Sequence, residues 1–190
     1  PAGYWKPEHP VQRQVRAVLE DLTGATLSDD RRGIDGCSVP TWAIPLQNLA
    51  YAFAKFATDQ GLSPERARAA ARLRHACAQK PWYVAGTGRF CTEVMELFGA
   101  RAFVKTGAEG VYCGALPEQG IGIAIKCDDG AGRAAQAIVA ALIARFLPLS
   151  DSERTALEPL IHPTLRNWNN FEVGTLRVAG MIGQSPERPR

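Results

Sequence analysis

Apolar positions recur at helical spacing over residues 10–22, where Val11, Val15, Val18, Leu19 and Leu22 form one stripe and Gly24 ends it. Residues 24–45 break this pattern. They are rich in Gly, Asp and Pro, and their Ile, Val and Trp content predicts an ordered loop. Residues 46–58 are apolar almost all round, the mark of a core helix. Ser63 as N-cap and Pro64 in the first turn start the next helix, which runs to about residue 79. Residues 81–88 read as a loop and 91–98 as a short helix. The period then changes. Residues 102–106, 110–116 and 121–127 read as strands, the last two joined as a hairpin by Pro117-Glu118-Gln119-Gly120. Asp128-Asp129-Gly130 closes the third strand and is expected to cap a helix over 133–147. Asp151 or Ser152 is expected to cap a helix to about residue 160, and 171–178 reads as a last strand. Segregated helices and antiparallel strands give an α+β fold class.

Composition narrows the partners. The 22 Lys+Arg against 19 Asp+Glu leave a formal charge of only +3. The densest basic run, SPERARAAARLRH, contains no aromatic residue for base stacking. It reads as a solvated helix, with Glu65, Arg68 and Arg72 on one face and Ala69, Leu73, Ala76 and Cys77 on another. Nucleic acid is not an expected partner. No apolar run reaches the ~18–20 residues of a membrane span. The five cysteines, at 37, 77, 91, 113 and 127, are odd in number, irregularly spaced and free of CxxC. This pattern points to reduced thiols, mostly small buried hydrophobes, in a cytoplasmic protein.

Two segments carry candidate chemistry. Lys105-Thr106-Gly107 lies in an apolar strand, and the chain has only five Lys against 17 Arg. A lysine desolvated in such a strand can act as a base or orient a carboxylate, whereas one on an edge simply snorkels to solvent. K-T-G on a strand is an element of acyl-serine enzymes that also carry S-x-x-K. Every Ser in this chain lacks a Lys three residues on. In the second segment, Gly33-Ile34-Asp35-Gly36-Cys37, extended backbone would turn Asp35 and Cys37 to the same side. A carboxylate and a thiol there suit an ammonium group or a metal, while a loop-capping Asp and a buried free Cys are the plainer reading. Gly86-Thr87-Gly88-Arg89-Phe90-Cys91 only imitates a dinucleotide motif, because no strand precedes it and Cys91 replaces the third Gly.

Taken in order, several segments resemble one family. They are Tyr4 with His9-Pro10-Val11-Gln12, GIDGCSVPTWAIPL, Val84 through Phe90, KTGAEGVY (105–112), ALPEQGIGIAIKCDDGAGRA (115–134) and PTLRNWNNFEVG (163–174). Together they look like the C-terminal half of the L-asparaginase II family, the zinc-containing rhizobial type. The resemblance implies a fold like serine β-lactamases and glutaminases, an antiparallel sheet flanked by helices. It implies hydrolysis of L-asparagine to L-aspartate and ammonia by Ser-Lys chemistry.

By this resemblance Lys105 is catalytic, Asp35 contacts the α-amino group of the substrate, and Thr106, Gly107 and Glu109 line the pocket. Cys37 would ligate zinc. Residues 1–182 would form the C-terminal part of one catalytic domain, with 183–190 a frayed tail. The family's R-S-x-x-K-P, S-H-x-G-E and N-C-S-G-K-H segments are absent from these 190 residues, and Cys91 stands where an Asp is expected. The expected partners are therefore L-asparagine, a missing N-terminal half that supplies the nucleophile, and a second copy in a homodimer. Two alternatives remain: a non-catalytic amino-acid-binding or scaffold module of the same fold, and a penicillin-recognising acyl-serine hydrolase.

Overall fold

A computed structural model describes residues 2–180. The tail expected to fray, 183–190, lies outside the described residues. Those residues form seven α-helices and three small antiparallel sheets, an α+β architecture. The central sheet has the order β3-β4-β5, with β3 at Phe103–Thr106, β4 at Val111–Leu116 and β5 at Ile121–Lys126.

Period-2 alternation gives this sheet two different faces. Val104, Tyr112, Leu116, Ile123 and Ile125 join the core built with α5 (Phe90–Phe98), α6 (Gly132–Phe146) and α7 (Asp151–Ile161). Val94, Val104, Leu116, Val139, Ile143 and Leu157 have no solvent exposure. Each such side chain contributes about 1.5–3 kcal/mol of burial. The opposite face carries α2 (Leu46–Thr58) across β4 and β5. Phe53 and Phe56 of α2 meet Phe103 with ring centroids 6.2 and 5.3 Å apart. Gly122 is required beneath this helix, because a Cβ there would collide with the Ala50 carbonyl oxygen and the Ala54 amide nitrogen.

The outer helices agree with the sequence in place and differ in facing. The first, α1 (Pro10–Thr23), ends at Gly24, whose φ of +67° lets its N–H reach the Glu20 carbonyl. Its expected stripe is only half covered: Val11 and Val15 are exposed while Gln12 is buried. In α3 (Pro64–Gln79), Ser63 caps as expected, accepting from the Arg66 N–H at 3.3 Å. The face turned inward holds Ala70 and Arg74 rather than Leu73, which is exposed. Arg74 explains this rotation, since it donates two hydrogen bonds to Asp59 at 2.7 and 2.8 Å and a further one to the Phe56 carbonyl.

Two caps move by a residue or more. Ser150 caps α7, not Asp151 or Ser152, through a reciprocal box with Glu153. The Asp128-Asp129 pair does not cap α6. The N-cap is Ala131, and Asp129 instead accepts the Ala131 N–H at 2.9 Å and meets Arg133 at 3.2 Å.

Three stretches read as loop or single strand contain further elements. Residues 24–45 fold a short hairpin, β1 (Arg32–Ile34) with β2 (Pro40–Trp42). A four-residue helix, α4 (Trp82–Ala85), interrupts 81–88. The expected last strand shortens to β7 (Glu172–Thr175) and pairs with β6 (Thr164–Arg166). Among the described residues no helix is long and apolar enough to cross a membrane.

Candidate functional site

Lys105 and Thr106 end strand β3, and residues 107–110 turn the chain into β4. The turn is held from several sides. Gly107 donates its N–H to the Val111 carbonyl at 2.8 Å, and Val111 donates back to Ala108 at 3.1 Å. A Cβ on Gly107 would lie 3.0 Å from that of Val111. Glu109 takes a left-handed φ of +54°, and Gly110 follows at +71° with the Gly130 backbone only 3.0 Å from where its Cβ would be. Only a residue without a side chain fits this approach at Gly110.

Lys126 ties the turn from behind. Its Nζ donates to the Glu109 and Cys127 carbonyls, each at 2.6 Å. Neither spacing nor a motif singles out this lysine in the sequence. Its signal was available in the register, since Val111 pairs with Lys126 across the hairpin. The Lys126 ammonium places a fixed positive charge under the Glu109 backbone.

Lys105 itself is exposed, and its Nζ donates to the Thr106 carbonyl at 2.8 Å. Of the two readings of this lysine, the structure shows the one on an edge that reaches solvent, not the desolvated one. Among the described residues β3 is an edge strand of the sheet, with no strand paired on its outer side. Across the ladder Lys105 pairs with Cys113, which is buried. Burial pushes the Cys113 thiol up to about 11, partly offset by the Lys105 charge.

Asp35 and Cys37 lie on the turn between β1 and β2, and both are exposed. Asp35 Oδ1 accepts the Cys37 N–H at 2.8 Å and the Val39 N–H at 3.1 Å. Ser38, at φ +67°, donates to the Asp35 carbonyl at 3.0 Å. The carboxylate therefore builds its own loop first. Among the described residues, no hydrogen bond or ion pair joins this loop to Lys105, Thr106, Gly107 or Glu109.

A zinc site takes about four N, S or O donors. Among the described residues no three His, Cys, Asp or Glu side chains converge. Cys37 offers one exposed thiol, so these residues fit as a single ligand and not as a metal centre of their own. The other four thiols are free, with Cys91, Cys113 and Cys127 buried and Cys77 partly so. Cys91, where an Asp was expected, lies 2.8 Å from the Tyr112 hydroxyl inside the core. Burial, followed by that contact, pushes the Tyr112 phenol well above its ordinary value.

The comparisons with known proteins agree with the motif order. No curated protein matches the chain. The family model of L-asparaginase II matches residues 1–178, nearly the full length. The chain belongs to the L-asparaginase II family.

Proposed function

We propose that this chain supplies one part of the active site of an L-asparagine amidohydrolase with a fold like that of serine β-lactamases. The observation that carries the reading is the family match over residues 1–178. Side-chain amide hydrolysis through an acyl-enzyme needs a serine hydroxyl, a base to take its proton and a donor to return a proton to the departing ammonia. Lys105 is the base and donor this chain brings, acting on a partner serine outside these residues. Its exposure on an open edge strand supports that role, because the neighbouring space is free for another segment to enclose it. Enclosure would then supply the desolvation that the chain alone does not.

Asp35 binds the α-ammonium of asparagine. One of its oxygens is spent on the loop, which fixes the direction of the other. Thr106, Gly107 and Glu109 line the pocket beside Lys105. Cys37 gives one thiolate to zinc, whose other ligands come from outside these residues. When bound, that zinc would act as a structural clamp or Lewis acid. The assembly works as a homodimer in the reducing cytoplasm.

The experiment is ammonia release from L-asparagine, measured on the chain alone and after mixing with the segment that carries the nucleophile. Silence alone and turnover after mixing is the expected result. Continued silence with both parts folded would sink the proposal. A second reading, a binding module without catalysis, is favoured by the absence of any S-x-x-K. Tight calorimetric binding of asparagine with no ammonia in either sample would select it.

A further inference from the structure

A surface lysine ordinarily leaves its ammonium in water. Lys126 does not. The residue is exposed, yet its Nζ donates to two backbone carbonyls, those of Glu109 and Cys127, each at 2.6 Å. Short bonds from a charged donor are the strong kind. The two acceptors lie on different connections. Glu109 belongs to the turn from β3 to β4, and Cys127 opens the loop from β5 to α6. Lys126 therefore clamps one connection to the other.

The clamp acts on the least favourable backbone of the site. Glu109 has a φ of +54°, a region that residues with a side chain rarely adopt, and Gly110 follows at +71°. The Val111 N–H closes this turn on the Ala108 carbonyl at 3.1 Å, and the Cys127 N–H reaches the Gly110 carbonyl at 3.0 Å. Among the described residues the Glu109 carbonyl has no donor other than Lys126.

The ammonium also stands on the relevant side of the sheet. Cross-strand register aligns Lys105 with Cys113 and Ala124, and the next row on that face pairs Val111 with Lys126. Residues two apart on a strand share a face, so Lys105 and Lys126 project to the same side. The two lysines are fixed by different means. Lys105 lies within the β3–β4 ladder, opposite Cys113, and strand pairing holds its backbone. Residues 107–110 lie beyond the last ladder pair, Thr106 with Tyr112. Loss of the Lys126 ammonium would loosen the turn and leave the Lys105 backbone in place.

We propose that Lys126 is a positioning residue of the active site. Its ammonium holds the Glu109–Gly110 turn in its left-handed form and so sets the shape of the pocket that receives asparagine. The role toward substrate rests on the proposed function above, whereas the clamp rests on the two carbonyl bonds. Because the turn lines the pocket and the ladder holds Lys105, the clamp governs substrate binding and not the chemical step.

The test is ammonia release from L-asparagine by the intact enzyme and by its Lys126→Met and Lys126→Arg variants, with residue-resolved hydrogen exchange on the same samples. Met keeps the reach of the side chain and removes its donors. In Lys126→Met, KM should rise by about 30-fold or more while kcat stays within about threefold of the parent, the signature of lost binding. Arg keeps the charge and has donors for both carbonyls, so Lys126→Arg should return KM to within about threefold of the parent. The Val111 and Cys127 amides should exchange at least about 10-fold faster in Lys126→Met, with Cys113 and Ala115 unchanged. A KM in Lys126→Met within about threefold of the parent would overturn the proposal. An equal rise of KM in both variants would also overturn it, by tracing the effect to side-chain shape. If Lys126→Met does not fold, Lys126→Gln, which keeps a donor without the charge, decides by the same split of KM from kcat. No ammonia from the parent removes the amidohydrolase reading, and hydrogen exchange then decides the clamp by itself. Faster Val111 and Cys127 amides in Lys126→Met sustain the clamp, and unchanged ones overturn it.

Discussion

The Asp35 carboxylate accepts the backbone N–H of Cys37 at 2.8 Å, so the residue proposed to bind substrate also shapes the turn that presents the thiol. These two roles separate by substitution. Asp35→Asn keeps an oxygen acceptor for the loop and removes the charge. We expect KM for asparagine to rise by about 100-fold or more, corresponding to roughly 3 kcal/mol, while the melting point stays within about 2 °C. Asp35→Ala should lose both. An unchanged KM in Asp35→Asn would leave Asp35 a loop-building residue only.

Gly122 carries the close approach between α2 and the sheet. Gly122→Ala forces a methyl group into the backbone of α2 at Ala50 and Ala54. Relief requires moving a whole helix, not one side chain, so the cost should reach about 3 kcal/mol, the upper end for overpacking. Denaturant unfolding measures it. A loss under about 0.5 kcal/mol would contradict the packing of α2 on β5.

The thiols should sort by burial. Cys37 is exposed, whereas Cys113 is buried and raised to about 11. Thiolate is the reactive form, so alkylation of folded, zinc-free residues 1–190 at about pH 8 should label Cys37 first and leave Cys113 unmodified until unfolding. Peptide mapping of the labelled protein checks this. Labelling of Cys113 at the rate of Cys37 would contradict the placement of β4.

Acid stability follows from four carboxyls, one of them Asp30, which a hydrogen bond from the Ser28 side chain lowers. The Arg74 hydrogen bonds lower Asp59, the Leu27 N–H lowers Glu20, and the Ser150 N–H lowers Glu153. Each folded value lies below the unfolded one, so each group stabilises the fold at neutral pH. That stabilisation is fully present above the ordinary values of 3.8 and 4.5 and is lost as pH falls past them through the lowered ones. Stability measured by denaturant unfolding should be flat above about pH 5.5 and decline below about pH 4.5. Asp59→Asn should flatten part of the decline.

Much of the helical frame was legible from spacing, because caps and periods are local. Gly24 and Ser63 end and start helices where the sequence places them. What failed was facing. Val11 and Val15 are exposed and Gln12 is buried, and Arg74 displaces Leu73 from the inward side of α3. Which side of a helix turns inward depends on long-range partners such as Asp59, fifteen residues away. The short hairpins failed for a different reason. Strands of three or four residues, one beginning with Pro40, carry too little alternation to register. Motif order singled out Lys105, Asp35 and Cys37, and the roles proposed for them rest on that order. Lys126 escaped because its role arises only from cross-strand register.

The central claim is that Lys105 performs amide hydrolysis in an L-asparagine amidohydrolase. Ammonia release from L-asparagine by the intact enzyme and by its Lys105→Ala variant tests it most directly. Among the described residues the Lys105 Nζ hydrogen-bonds the carbonyl of its own neighbour Thr106, so the substitution should leave the fold unchanged. We expect a kcat lowered by about 1,000-fold or more, roughly 4 kcal/mol of barrier, with a melting point within about 2 °C of the parent. A kcat within about threefold of the parent, or no ammonia from the parent itself, would contradict it.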